Sequence, residues 1–236
     1  MADRPTVVLD HGAWHGAWCW EDVASRLRAD GQRVVVVELP SVAAGGDMYD
    51  DAQAVHDAIA AVDGETVVVG HSYGGVVITE GAAGLPGVRH RGYVTAFMLD
   101  EGESLLSTVG GTLPDWVKPA TEGRGMIATD GERVFYNTCA PEAAHAAAER
   151  LRPQANATFE QPVRSVAWRE VPFHLRRLRP RQRDPRAGTG GDGGTGADHA
   201  PPRERPLAVP QRPRRAHAQR GRRAAGLLQH VRLGGR

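Results

Sequence analysis

The chain has 236 residues, 41% hydrophobic and 24% charged, enough apolar material for one α/β domain with a sizeable core and too little length for two full-sized ones. Its formal net charge of +1 joins two unlike parts: residues 1–172 carry 13 Lys and Arg against 24 Asp and Glu, and residues 173–236 carry 16 against 4, so the parts stand at −11 and +12. Cys19 and Cys139 form neither a disulfide framework nor a zinc spacing, the first residues lack a secretory pattern, and no apolar run nears the ~20 residues of a bilayer span, so a soluble, cytoplasmic, metal-free protein is expected.

In chain order, residues 6–9, 34–37, 66–69 and 93–98 are short β-rich runs without polar alternation, as in strands covered on both faces. Between them, residues 20–29, 48–62 and 75–83 have helical composition, the first two stopping near Gly31 and Gly64. The alternation predicts an open, mostly parallel α/β sheet. From Glu101 the pattern changes to a longer irregular and helical stretch holding Trp116, Phe135, Tyr136 and an Ala-rich segment, read as an insertion over the C-terminal edge of the sheet. The expected organisation is a core over 1–100, a cap insertion over 101–165, a return to the core over 166–172, and an Arg/Gly/Pro-rich tail over 173–236. All 16 tail cations are Arg and 17 of its 64 residues are Gly or Pro, so it has little apolar surface to offset the entropy of ordering and is expected to be disordered. His56 and His145 lie in helical stretches without partners at metal spacing and read as satisfied or solvated histidines.

Gly70-His71-Ser72-Tyr73-Gly74 fits G-x-S-x-G in its diagnostic setting, with a strand running in and Gly74 and Gly75 opening a helix. Such a sharp turn strains the central residue and leaves no room for a Cβ two residues either side. Ser72 is therefore the candidate nucleophile. A second signal, Leu9-Asp10-His11-Gly12-Ala13-Trp14-His15-Gly16-Ala17-Trp18-Cys19-Trp20, lies between the first strand and the first helix. Together the two segments resemble the α/β-hydrolase superfamily, in particular the small esterases related to plant methyl esterases and hydroxynitrile lyases, over residues 6 to about 172. The resemblance implies an α/β-hydrolase fold with a helical cap, and hydrolysis of a small-molecule carboxylic ester through an acyl-enzyme on Ser72, with no cofactor. It also implies an oxyanion hole from the backbone N–H groups of Ala13 and Tyr73, supported by His11, Gly12, Gly70, His71 and Gly74. Asp10 departs from the family, which has an apolar or neutral residue there, and is flagged as a buried carboxylate near the site. Trp14, Trp18 and Trp20 read as packing residues under the loop, and Trp116, Phe135 and Tyr136 as the insertion's own core in preference to a pocket lining.

A serine nucleophile needs a base oriented by a carboxylate, in the chain order Ser, Asp or Glu, His. The family places the acid after a Val-Val-Cys-x-x-Asp strand and the base in a His-Ser-Pro-Phe loop. Neither motif follows Pro172; the tail offers His174, His199, His217 and His230 with Asp184, Asp192, Asp198 and Glu204 in other contexts. With synonymous codons chosen for it, the stretch from Phe173 read one base later spells Ser-Thr-Tyr-Val-Val-Cys-Ala-Arg-Asp, and the stretch from Pro206 spells His-Ser-Pro-Phe-Leu-Ser. One displacement thus recovers both motifs in order. The expectation is a frameshifted tail from about Phe173, with the C-terminal strands missing or replaced and esterase activity impaired. Alternatives are a hydroxynitrile-lyase-like activity or a non-catalytic small-ligand-binding protein. Nucleic-acid binding by the Arg-rich tail is a rival for that segment, although arginines broken by Gly and Pro fit disorder better than a groove-reading helix.

Overall fold

Buried valines dominate the strands at the centre of the fold. The computed structural model describes residues 4–42, 45–121 and 125–176, all within one compact unit. Strand β1 (Thr6–Asp10) is buried along its length. It leads through a 3₁₀ turn at Ala17–Trp20 into helix α1 (Glu21–Ala29), with Glu21 and Asp22 in its first turn and Arg26 and Arg28 in its last, the charge order that suits the helix dipole. Strand β2 (Val34–Val37) is followed by α2 (Met48–Ala60), started by Asp47 in a reciprocal cap with Asp50. Strand β3 (Thr66–His71) runs into α3 (Gly74–Gly81), itself almost wholly buried. Strand β4 (Val88–Val94) completes the first half.

The next stretch holds α4 (Leu105–Thr108), an antiparallel pair β5 (Val117–Pro119) and β6 (Met126–Ala128), then α5 (Gly131–Phe135), α6 (Pro141–Ala148) and α7 (Ala157–Glu160). A 3₁₀ turn at Ala167–Arg169 precedes β7 (Phe173–Arg176). The main sheet has the order β2-β1-β3-β4-β7, every neighbouring pair parallel. Among the described residues no helix is long and apolar enough to cross a membrane.

Two elements differ from expectation. The fourth strand, expected over 93–98, spans Val88–Val94 instead. Arg89, His90 and Arg91 make that segment read as polar, yet His90 and Arg91 are buried, and the Arg91 guanidinium donates from Nη2 to the Ala82 carbonyl at 2.6 Å. Thr95, with φ of +47°, follows the last residue of β4 and turns the chain away inside the expected strand. The second difference is β7, whose residues were assigned to the tail. Phe173–Arg176 pair with Arg91–Val94 and cover the outer side of β4, through a backbone ladder that needs no particular side chains. The side chains fit poorly: Phe173 is 39% exposed, and the His174 ring is pressed on His90 with centroids 4.5 Å apart. The rest of the tail, with the disorder expected of it, lies outside the described residues.

Candidate active site

The turn from β3 into α3 is as tight as the glycine pattern requires. Ser72 has φ of +53°, a left-handed conformation that costs a non-glycine residue free energy. A Cβ on Gly70 would lie 2.5 Å from the Gly74 carbonyl oxygen, and one on Gly74 would lie 2.7 Å from the His11 carbonyl oxygen. Gly75 is closer still, since a Cβ there would stand 2.4 Å from the Phe97 carbonyl oxygen. Gly75→Ala is therefore expected to destabilise the fold by about 1–3 kcal/mol, read as a lower denaturation midpoint at unchanged slope. The bend is closed by hydrogen bonds from Ser72 N–H to Val94 O at 3.3 Å and from Phe97 N–H to Ser72 O at 3.1 Å.

The loop after β1 lies directly against this turn. A Cβ on Gly12 would be 3.1 Å from Ser72 Cβ and 3.2 Å from His71 Nδ1, so glycine lets the loop backbone approach the serine. Among the described residues, no hydrogen bond uses the backbone N–H of Ala13 or of Tyr73. Trp14, with φ of +65°, is held by three bonds around it. Its N–H donates to Gln154 Oε1 at 3.1 Å, its indole to Met126 O at 3.0 Å, and its carbonyl accepts from Arg152 N–H at 2.9 Å.

The nearby histidines are occupied. His11 donates from Nδ1 to Gly12 O at 2.9 Å and accepts at Nε2 from Leu39 N–H at 3.2 Å. His15 donates from Nδ1 to Ala13 O at 2.8 Å and accepts from the Tyr136 hydroxyl at 2.8 Å. Burial holds both below the usual histidine range, and it pushes His71 down to about 4, so all three stay neutral at pH 7. No histidine among the described residues is hydrogen-bonded to Ser72. His174, the one tail histidine described, bonds His90 instead. His199, His217 and His230, with Asp184, Asp192, Asp198 and Glu204, lie outside the described residues.

Two buried carboxyls stand behind the turn. Asp10 is fully buried and neither of its oxygens reaches hydrogen-bond geometry with a partner. Burial, then Asp51, push it well above the usual carboxylate range. Asp51 is as deeply buried but well partnered: Oδ1 accepts from Ser41 N–H at 2.9 Å, and Oδ2 from the Ser41 hydroxyl and, at 2.7 Å, from the Tyr73 hydroxyl. Burial raises it to about 6 against the pull of these bonds. Ser41 Oγ in turn accepts from Gln154 Nε2 at 2.6 Å.

Sequence reading missed Asp51, Ser41 and Gln154. Asp51 carried a signal, since it interrupts the buried stripe Met48, Ala52, Val55, Ile59 on α2. Gln154, in an irregular stretch, carried none. The aromatic residues do pack together: the Trp14 ring lies 5.4 Å from Trp116, 5.9 Å from Phe135 and 5.7 Å from Phe159. Trp20 is buried edge-on to His71, and half-buried Trp18 lies between His15 and the Arg150 guanidinium. His56 bonds the Gly81 carbonyl, and exposed His145 pairs with Glu132.

Comparison with known proteins agrees with the fold. An alpha/beta hydrolase family model matches residues 7–231, a span that runs past Pro172. The chain is 32% identical over 173 residues to a carbendazim hydrolyzing esterase of Nocardioides sp., covering 66% of this chain and 72% of that protein. It is 33% identical over 104 residues to methylesterase 7 of Arabidopsis thaliana, covering 39% and 40% respectively. The crystal structure of a pyrethroid hydrolase from Sphingobium faniae superposes with a TM-score of 0.58 at 27% identity, covering 67% of this chain and 71% of that one. On the matched span and the shared fold, the chain belongs to the alpha/beta hydrolase family.

Proposed function

We propose that the site hydrolyses small-molecule carboxylic esters through an acyl-enzyme on Ser72. The observation that carries the reading is the left-handed Ser72, set on a glycine-walled turn with the Gly12 backbone against its Cβ. Ser72 Oγ attacks the ester carbonyl carbon, and the negative charge that develops on the carbonyl oxygen is met by the N–H groups of Ala13 and Tyr73. Fixed donors of this kind are each worth about 2.7–4 kcal/mol of barrier. The tetrahedral intermediate collapses with loss of the alcohol, which carries off the proton given up by Ser72, and water then attacks the acyl carbon, its proton returning to Ser72 as the acid leaves. His11, Gly12, Gly70, His71 and Gly74 shape the turn and the loop, and residues 101–165 cap it. Relatives that are themselves an esterase, a methylesterase and a pyrethroid hydrolase support this chemistry. The free thiols Cys19 and Cys139 fit a reducing compartment, the cytoplasm.

The tail from about Phe173 is part of the same proposal: it is translated in a displaced frame, so the chain as written lacks the family's acid and base and turns over poorly. Support comes from β7, where Phe-His-Leu-Arg occupies the strand position at which the displaced reading spells Ser-Thr-Tyr-Val, with Phe173 exposed and His174 against His90. The test is activity of the frame-restored chain toward p-nitrophenyl butyrate and mandelonitrile. Ester hydrolysis that disappears in Ser72→Ala is the expected result. Cyanide release with no ester hydrolysis, or ligand held without turnover, would replace the esterase reading by a lyase or a binding protein.

A further inference from the structure

The two N–H groups assigned to the developing oxyanion belong to segments 60 residues apart, Ala13 after β1 and Tyr73 at the head of α3. The pairing of Asp10 with Gly70 brings both segments to one end of the sheet, but the ladder stops three residues short of each N–H. A continuous chain of hydrogen bonds links the peptide after Ala13 to the side chain of Tyr73. From one end, the Ala13–Trp14 peptide is gripped on both sides, its carbonyl by His15 Nδ1 at 2.8 Å and its N–H by Gln154 Oε1 at 3.1 Å. Gln154 Nε2 donates to Ser41 Oγ at 2.6 Å and to Thr158 Oγ1 at 3.1 Å. Ser41 donates to Asp51 through both its hydroxyl and its N–H, and Asp51 Oδ2 accepts the Tyr73 hydroxyl at 2.7 Å.

Donation runs toward the Asp51 carboxylate from both ends of this chain, and Gln154, Ser41, Asp51 and Tyr73 are all at or below 1% exposure. The backbone of Gln154 is fixed as well, exchanging two bonds with Met126 at 2.7 and 2.8 Å. Buried, fully satisfied polar networks are stiff, because breaking any link leaves an unpaired group in a low dielectric. Oxyanion donors are effective only when held in place before the charge appears.

We propose that Gln154, Ser41 and Asp51 are positioning residues that set the spacing between the Ala13 and Tyr73 N–H groups at Ser72. The inference rests on the hydrolase reading above. It makes the segment after α6 part of the catalytic apparatus through Gln154, although no atom of that segment need touch the substrate.

Phenylboronic acid tests it on the chain as written, because addition of Ser72 Oγ to boron, with the hydroxyl proton released to the buffer, gives an anionic tetrahedral adduct whose oxygen occupies the oxyanion position. Binding is read from the tetrahedral boron signal by NMR, with Ser72→Ala as the blank. Gln154→Met and Tyr73→Phe, both folded by thermal melting, are each expected to weaken adduct formation about 10-fold, and the double variant by about the same factor and not by about 100-fold, since both cut one network. Ser41→Ala severs the same chain by loss of one oxygen and gives the same reading should Gln154→Met not fold. Single variants that bind as the parent does, or losses that multiply, overturn the network. Where the missing base keeps the parent silent, the same variants are read in the frame-restored chain, and a frame-restored chain with no Ser72-dependent tetrahedral signal overturns the hydrolase reading itself and the network with it.

Discussion

Removing one base at the Pro172 codon should raise hydrolysis of p-nitrophenyl butyrate by about 10⁴- to 10⁶-fold over the chain as written. In a serine hydrolase, loss of the base alone lowers kcat by about 10⁶, leaving roughly 10³–10⁴ over water from the remaining oxyanion donors and binding. At 1.36 kcal/mol per decade, a factor of about 10⁴–10⁶ corresponds to about 5–8 kcal/mol of transition-state stabilisation. His11 and His15 cannot stand in, because both ring nitrogens of each are already bonded, and His71, lowered by burial to about 4, is a weak base with no bond to Ser72. The initial rate in the two chains, each with its Ser72→Ala partner, is the measurement. Equal rates would mean that the tail is in frame and completes the site in another way, and sequencing independent clones across the Pro172 codon reports the same question without an assay.

The legible parts of this molecule are those governed by local chemistry. Val34–Val37 is a strand by composition, and the glycines around Ser72 announce a turn that only glycine can line. Asp10 was visible as an anomaly because the resembled family has an apolar or neutral residue at that position. The start of β4 was hidden by Arg91, whose guanidinium reaches the Ala82 carbonyl under the sheet and looks, in sequence, like a surface charge. The network at Gln154 was hidden for a different reason. Its bonds to Trp14 and Ser41 span 140 and 113 residues, and a glutamine in an irregular stretch has no periodicity to mark it as buried. Period and motif report what a residue does for its own element; they do not report which distant backbone it holds.

Asp10 gives the second large effect, in stability. Its carboxyl is fully buried with no partner of good geometry, and burial followed by the neighbouring Asp51 raises its pKa well above the ordinary value. The folded state therefore carries the proton at a pH where the unfolded chain, titrating near about 3.9, has lost it. For a group shifted upward the sign is fixed: folding takes up a proton, so stability is undiminished below about pH 4 and falls as pH rises toward the folded-state pKa. Asp10→Val removes both this cost and the unsatisfied oxygens. It is expected to stabilise the fold at pH 7 by about 2–4 kcal/mol, raising Tm by about 5–15 °C for a chain of this size. At pH 4 the gain should shrink to about 1–2 kcal/mol, the cost of the unpaired polar group alone. Asp10→Asn separates the two contributions, since it keeps the buried polar atoms and cannot ionise: it should match the parent at pH 4 and exceed it at pH 8. Melting curves of the three proteins across that range check the assignment, and a parent whose Tm does not fall relative to Asp10→Asn between pH 4 and pH 8 would mean that the carboxyl at the end of β1 ionises freely, reached by water alongside Gly74.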